Sequence, residues 1–227
     1  MVINMTYDNT TPITAKRYDE KINDTLPYYQ EFYNQTLDVV EQCGFGKIDW
    51  LDLGGGTGSL EEQAFQKFSD IHFVFADPSE KMIEQAREKL QDASVQYICA
   101  GSTSVHFTEQ FDVVTAIQSH YYMQEEEHKE ATECVYHALK MDGIYINFEN
   151  VIPEDGEIKK FELLRWGKYQ QRHGKTEEEE KAHNARCGVN YFPLTVNQHI
   201  QLLKDVGFQK VHVFWYSYMQ MGIYGVK

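Results

Sequence analysis

The chain has 227 residues, 42% of them hydrophobic, which is enough for one α/β domain with a substantial core. Its formal net charge is −14, so its surface repels phosphate backbones and nucleic acid is a poor default partner. No basic segment leads into an apolar stretch, and no run of about 18 apolar residues exists; neither a signal peptide nor a membrane span is expected, and the chain reads as cytoplasmic.

Residues 1–12 read as a loose polar tail. From Ile13 to about Gly44 the pattern is helical, divided by Pro27, which is suited to the first position of a second helix. In that helix Tyr29, Phe32, Tyr33, Thr36, Leu37 and Val40 share one face. Residues 1–44 are therefore expected to form an N-terminal helical cap.

Strands and helices then alternate. Ile48–Leu53, Ile71–Ala76, Val95–Ala100, Phe111–Ile117 and Ile144–Phe148 read as strands. Ser59–Phe68, Ser79–Leu90 and Glu125–Leu139 read as helices, and Asp142-Gly143 as a turn before the fifth strand. This rhythm requires parallel pairing with right-handed crossovers. It breaks at Val151, where a charged segment with the run Glu177 to Glu180 is too long for a plain connection. Residues 151–194 are expected to form a lid insertion within a single domain, with the acidic run as a solvated helix start. Thr195–Val206 is a helix opened by a capping box, and the C-terminal stretch reads as two strands joined without a crossover, hence antiparallel. The expected fold is a Rossmann-like, doubly wound, seven-stranded, mostly parallel α/β sheet ending in an antiparallel hairpin.

The stretch "WLDLGGGTGSL" places Gly54, Gly55, Gly56 and Gly58 where the first strand feeds the first helix. Without Cβ atoms the backbone turns tightly and a ligand can touch it, while the helix start offers free N–H groups. In an open α/β sheet ligands bind at the carboxyl ends of the strands, so this is a cofactor loop. The dinucleotide pattern G-x-G-x-x-G fails at Ser59, and no Gly-Lys-Ser/Thr follows, so nicotinamide and nucleoside triphosphate readings are disfavoured. Asp52, Glu61 and Glu62 lie close by in sequence, which suits a cofactor with a positive centre and no phosphate. Asp77 at the tip of the second strand suits the two hydroxyls of a ribose; a turn-forming Asp before Pro78-Ser79 is the alternative.

The fourth strand ends "AIQSHYYM", at the sheet edge where a reacting group would lie. Gln118 is a candidate cofactor contact. His120 is a candidate general base or substrate ligand, the alternative being a histidine packed at the loop. Tyr121 and Tyr122 follow. In the insertion, Trp166, Tyr169, His183 and Arg186 either wall a substrate pocket or pack the insertion to the body. Tyr18 and Tyr28 are candidates to cover a cationic centre. Cys43, Cys99, Cys134 and Cys187 form no C-x-x-C pair and read as scattered buried thiols; with nine histidines they show no zinc spacing, so no metal is expected.

"LDLGGGTG", "FADPSEKMIEQAREKL" and "FDVVTAIQSHYY" together resemble the class I S-adenosylmethionine-dependent methyltransferases, over about Tyr18 to Lys227. The resemblance implies sheet order 3-2-1-4-5-7-6 and S-adenosylmethionine as cofactor, with S-adenosylhomocysteine as product. It implies that the Gly54–Gly58 loop approaches the amino-acid part of the cofactor, that Asp77 binds the ribose, and that Met82 lies near the adenine, with Pro78 a further cofactor contact. Many members carry an acidic residue after the third strand; here Gly101-Ser102-Thr103 stands there, and Ser102 or backbone would take that contact. The Asp/Asn-Pro-Pro-aromatic motif of amino-directed DNA methyltransferases is missing from the fourth-strand tip. A small-molecule acceptor is therefore expected, with no nucleic acid or membrane partner; the oligomeric state is open. The chain's ending also resembles the carboxy-S-adenosylmethionine synthases, which convert the cofactor's methyl with prephenate and need a basic pocket for its carboxylates. Arg165, Arg172 and Arg186 are the candidates for such a pocket. A binding module without turnover is the remaining alternative.

Overall fold

A computed structural model describes residues 11, 13–91 and 94–227. The polar segment 1–12 lies outside these residues except for Thr11. The chain enters through short helical turns, Ala15–Arg17, α1 (Tyr18–Lys21) and Ile22–Asp24, and then α2 (Tyr29–Cys43). Pro27 is not the first residue of α2. Tyr28 caps the helix in a left-handed conformation (φ 57°), so α2 starts two residues after the proline. Gly44, at φ 68°, ends it.

β1 (Ile48–Leu53), α3 (Ser59–Lys67), β2 (Ile71–Asp77), α4 (Glu80–Lys89), β3 (Val95–Cys99), β4 (Phe111–Ile117), α5 (Glu125–Ala138) and β5 (Leu139–Asn150) follow. The segment between β5 and α8 (Val196–Val206) holds α6 (Gly156–Arg172) and α7 (Glu177–Asn184). β6 (Gln209–Ser217) and β7 (Gln220–Val226) close the chain as an antiparallel hairpin. The seven strands form one sheet in the order β3-β2-β1-β4-β5-β7-β6, parallel except for β7 against its neighbours.

β5 starts five residues before its expected beginning. Leu139 already pairs with Phe111, and Asp142-Gly143 is a bulge inside the strand, with Asp142 at φ 61°, instead of a turn before it. Successive strand residues point to opposite faces, so each strand feeds two cores. Trp50, Phe73, Ile146 and Phe148 pack beneath α2, α3 and the entry turns; Leu51, Val74, Val114 and Tyr145 pack beneath α5 and α8. The inner strands are apolar almost throughout, as strands covered on both faces must be.

The four cysteines correct the expectation of buried thiols. All are free, Cys43 and Cys99 are exposed, and Cys134 and Cys187 are partly so. Of the acidic run, Glu180 turns inward over Gly167 and accepts from Asn184, whereas Glu177, Glu178 and Glu179 stay in solvent. Among the described residues no helix is long and apolar enough to cross a membrane, and no group of three or more His, Cys, Asp or Glu is placed to hold a metal.

Candidate functional site

The strand order reverses between β1 and β4, and the loops leaving these strands diverge to open a cleft at their carboxyl ends. Its floor is the glycine loop. Gly54 N–H donates to Ala76 O at 2.7 Å and Gly56 N–H donates to Asp77 Oδ2 at 3.0 Å, so the loop is tied to the end of β2. Gly54, Gly56 and Gly58 all have positive φ (75°, 61° and 78°), which disfavours residues with a Cβ. Their surroundings differ. A Cβ on Gly54 would meet Ser119, and one on Gly55 would meet the Phe75 ring, whereas one on Gly56 would point into open space. Gly58 does not line the cleft; it caps α3 against Ala86 and Leu90.

Asp77 stands at the tip of β2, but it does not project into solvent. It is 6% exposed, with Oδ1 accepting from Ser79 N–H at 2.8 Å and Oδ2 from Gly56 N–H. Burial pushes its carboxyl up to about 6, against the pull of those two donors. It lines the cleft beside Pro78, Met82, Gly101 and Ser102. Asp52 also lines the cleft, accepts from the Thr115 hydroxyl, and is pushed up to about 6 by burial. Behind it sits Glu61, fully buried, with both carboxyl oxygens free of hydrogen-bond partners among the described residues. Burial, then the Asp52 charge, raises Glu61 well above the carboxylate range. Two acids this close titrate as a pair, with Glu61 holding the proton. Such a raised carboxyl favours the fold at low pH and loses that contribution as pH rises through its folded-state value. Glu61→Gln, which mimics the neutral acid, is therefore expected to stabilise the protein by about 1–2 kcal/mol at pH 8 and little at pH 5. Urea midpoints at the two pH values check this, and a variant no more stable than wild type at pH 8 would contradict it.

β4 ends at Gln118, held left-handed at φ 56° by its N–H bond to Phe148 O at 2.7 Å. Both atoms of its buried side-chain amide lack partners, and the residue lines the cleft. An idle donor and acceptor in such a place is the mark of a polar ligand site.

His120 is a correction. It does not line the cleft; it is 1% exposed, its Nε2 lies 3.0 Å from Ser102 Oγ and its Nδ1 lies 3.2 Å from the Tyr145 hydroxyl. Burial, then His128 and His199, pushes its pKa down to about 3. It is a neutral strut between β5 and the turn after β3, not a base. Tyr28 is a second correction. It is 57% exposed and packs on Tyr218, because the left-handed turn at its own Cα points it away from the cleft.

Tyr18, expected near the cofactor, does line the cleft, together with Tyr29 and Tyr33, whose hydroxyls lie 2.6 Å apart. The helical pattern assigned Tyr29 and Tyr33 to a core face only; the available signal was that hydroxyl-bearing rings stand where phenylalanine would pack equally well. A polar clasp was also missed. Asp19 accepts from Thr57 Oγ1 at 2.6 Å and from Lys89 Nζ at 2.7 Å, fastening α1 over the start of α3.

A second chamber adjoins the cleft, sharing Thr11, Tyr18 and Tyr122 with it. Tyr121, Asn150, His183, Arg186 and Tyr191 complete its polar wall. Tyr121 donates to the Tyr122 hydroxyl at 3.0 Å. Burial raises the pKa of both rings, although Arg186 pulls Tyr122 back, so both are neutral phenols. The Tyr191 hydroxyl faces the Cys187 thiol, and both ring nitrogens of His183 are buried without partners among the described residues. Trp166 and Tyr169 do not reach the chamber. Trp166 Nε1 donates to Thr25 O at 2.7 Å and the Tyr169 hydroxyl to Asn23 O at 3.3 Å, so both fasten α6 to the entry turns. Arg165 pairs with Glu162 and covers Tyr218, and Arg172 reaches the Tyr218 hydroxyl. Of the three arginines, the chamber receives Arg186 alone.

Residues 51–143 match the family described as a methyltransferase domain. Those residues carry a methyltransferase domain, and the fold around them is that of the class I S-adenosylmethionine-dependent methyltransferases. The same fold is seen in magnesium protoporphyrin IX methyltransferase from Synechocystis with bound S-adenosylhomocysteine (TM-score 0.65, 15% identity, 90% of this chain and 86% of that one). It is also seen in a possible histamine N-methyltransferase from Thermotoga maritima (TM-score 0.61, 17% identity, 93% and 95%). Among curated proteins, the chain is similar to carboxy-S-adenosyl-L-methionine synthases. The one from Nautilia profundicola is 24% identical over 202 residues, spanning 88% of this chain and 86% of that protein. The one from Helicobacter pylori is 27% identical over 216 residues, spanning 88% and 86%. The protein is thus an enzyme of S-adenosylmethionine. Its cleft fits that cofactor, with glycine backbone on one side, the idle Gln118 amide on another, and carboxyl groups in place of the cations a phosphate would need.

Proposed function

We propose that the enzyme transfers the methyl of S-adenosylmethionine to a small anionic acceptor held in the second chamber. The observation that carries this is Arg186, placed with the His183 ring, whose nitrogens have no partner among the described residues, in a chamber that shares Thr11, Tyr18 and Tyr122 with the cofactor cleft. The cofactor supplies a methyl carbon made electrophilic by the adjacent sulfonium. Under this reading the glycine loop, Asp77 and Gln118 hold the cofactor, Tyr18 and Tyr122 stand between the two ligands, and Arg186 anchors the acceptor. Fixing both partners in line is the main source of rate for such a displacement. The neutral Tyr121 and Tyr122 hydroxyls orient the acceptor by hydrogen bonds and do not deprotonate it. As far as the two tyrosines go, this suits an acceptor atom that arrives without a proton to lose, such as a thiolate, carboxylate or enolate.

The similarity to carboxy-S-adenosyl-L-methionine synthases over most of the chain favours a second reading, in which Arg186 holds a carboxylate whose carbon is passed to the cofactor's methyl. One experiment separates the two. Purified enzyme is incubated with S-adenosylmethionine and a panel of small carboxylic acids including prephenate, and the cofactor pool is read by mass spectrometry. Methyl transfer yields S-adenosylhomocysteine and a methylated acid, whereas the second reading yields a cofactor heavier by one carbon dioxide and no S-adenosylhomocysteine. In either case Arg186→Gln is expected to raise KM for the acid about 10–100-fold, the scale of a lost charge-assisted hydrogen bond, and to leave cofactor affinity within about twofold. Turnover of an uncharged acceptor unaffected by Arg186→Gln would overturn the proposal.

A further inference from the structure

Two histidines near the site, His120 fully buried and His183 half-buried with both ring nitrogens covered, are held in opposite ways. His120 has a partner at each ring nitrogen, as a structural histidine should. His183 has none at either, although it lines the second chamber three residues before Arg186. Its ring is fixed by packing alone, edge-on to Trp166 at 5.0 Å and stacked on Tyr191 at 6.0 Å. An imidazole so placed has two hydrogen-bonding positions that the protein itself does not use.

The charges around it explain why it is neutral. Arg186 faces it from the turn after α7, and Lys175 from the loop between α6 and α7. On its own helix, the Glu180 carboxylate is engaged by Asn184 and Gln171, and Lys181 pairs outward with Glu177. α6 contributes the Trp166 ring and the uncharged Gln170 amide, which bonds Asn184 and Lys175. Tyr18, Tyr121, Tyr122 and Tyr191 contribute neutral hydroxyls. Burial, then Lys175 and Arg186, pushes His183 down to about 3. Burial also pulls Lys175 down to about 8, with Glu179, Asp24 and Glu180 opposing and Arg186 adding to the fall. In a chain of net charge −14, an arginine and an idle imidazole thus meet at one chamber, with Lys175, bonded to Gln170, close behind the ring.

We propose that His183 is a proton-coupled anion contact of this chamber: neutral while the chamber is empty, it takes up a proton as an anionic acceptor seats beside Arg186. The inference rests on the acceptor being anionic, as proposed above. An entering carboxylate offsets the Lys175 and Arg186 charges that repel a proton from the ring, and it accepts the N–H bond the ring then offers. A ring whose pKa is higher in the complex than in the free enzyme makes binding tighter at lower pH. Affinity falls as pH rises through the pKa of the complex, by up to tenfold per unit. His183 is in this sense a specificity-determining residue, favouring acceptors with a second anionic oxygen within reach of the ring.

The test is calorimetric titration of the full chain, saturated with S-adenosylhomocysteine, with benzoate, phthalate and phenylpyruvate as probes. It is run at pH 6.5 in two buffers of different ionisation enthalpy and repeated to pH 8. At pH 6.5 Lys175 is already protonated and cannot supply the signal. The expected result is uptake of a substantial fraction of one proton per probe bound. His183→Gln should still bind the probe, with no uptake and an affinity independent of pH between 6 and 7.5; Arg186→Gln should lose binding about 10-fold or more. The wild-type proton count needs no variant, so it stands even if His183→Gln folds poorly. Binding that depends on Arg186 but takes up no proton, or uptake that persists in His183→Gln, overturns the role of His183 and leaves the anionic-acceptor reading intact. Absence of binding by every probe, or binding indifferent to Arg186→Gln, overturns both.

Discussion

Two alanines placed one residue apart in the glycine loop are expected to fail in different ways. Gly55→Ala should lower stability by about 2–3 kcal/mol, because its methyl would be driven into the Phe75 ring and within 2.8 Å of Asp52 Oδ2, both fully packed. For a chain of this length that is a fall in Tm of about 5–10 °C. Gly56→Ala meets nothing within 4 Å and should cost only the left-handed conformation, about 1 kcal/mol. Its methyl points into the cleft, so cofactor affinity should drop about tenfold or more while most of the Tm is kept. Thermal melts with and without S-adenosylhomocysteine measure both. The assignment of the cleft fails if Gly56→Ala binds the cofactor as wild type does.

Asp77→Ala should weaken cofactor binding about 10–100-fold and also destabilise the empty protein by about 2–4 kcal/mol. The second effect follows from burial. The carboxylate accepts two backbone N–H groups, from Gly56 and Ser79, and alanine leaves both without an acceptor. Asp77→Asn retains one acceptor oxygen and separates the effects, with a smaller loss of stability and a clear loss of affinity. The sign of the pH dependence follows from the raised carboxyl. In the empty cleft Asp77 gives up its proton only near pH 6, and ribose hydroxyls would bind the charged form. Below pH 6 the proton must leave before the ligand is held, so affinity should fall by up to tenfold per unit in wild type and stay flat in Asp77→Asn. Equilibrium binding of S-adenosylhomocysteine from pH 5 to pH 8 tests this, and parallel curves for the two proteins would remove Asp77 from the ligand's contacts.

The sheet was legible in the sequence because alternation of apolar strands and amphipathic helices leaves few topologies, and the glycine loop because no other residue tolerates its backbone. Side-chain direction after a left-handed residue was not legible. Tyr28 turned away and Gln118 turned in, and nothing in their neighbours' hydropathy distinguishes the two. His120 was misjudged for a related reason. Position at a strand tip says which edge a residue occupies, but not whether the following turn folds it under the sheet, where Ser102 and Tyr145 wait for it. The second chamber is assembled from Tyr18, Tyr122 and Arg186, which lie far apart in the chain, so no local window contains it. Its charge was likewise hidden, since Arg165 and Arg172 look equivalent to Arg186 until α6 fixes which way each one faces.

The chain carries three tryptophans, and two of them are wired to different parts of the site. Trp50 Nε1 donates to Thr115 Oγ1 at 2.8 Å, and the Thr115 hydroxyl in turn donates to Asp52, so the indole is one hydroxyl away from the cofactor cleft. Trp166 stands edge-on to His183. Intrinsic fluorescence therefore offers two separate optical channels. Emission from Trp50 should respond to charge arriving near Asp52, and emission from Trp166 should be quenched when the neighbouring imidazole becomes cationic. With Trp215→Phe as a common background, and Trp50→Phe or Trp166→Phe added to it as single-channel versions, stopped-flow traces would time the loading of each compartment without an added dye, and would show which of the two ligands enters first.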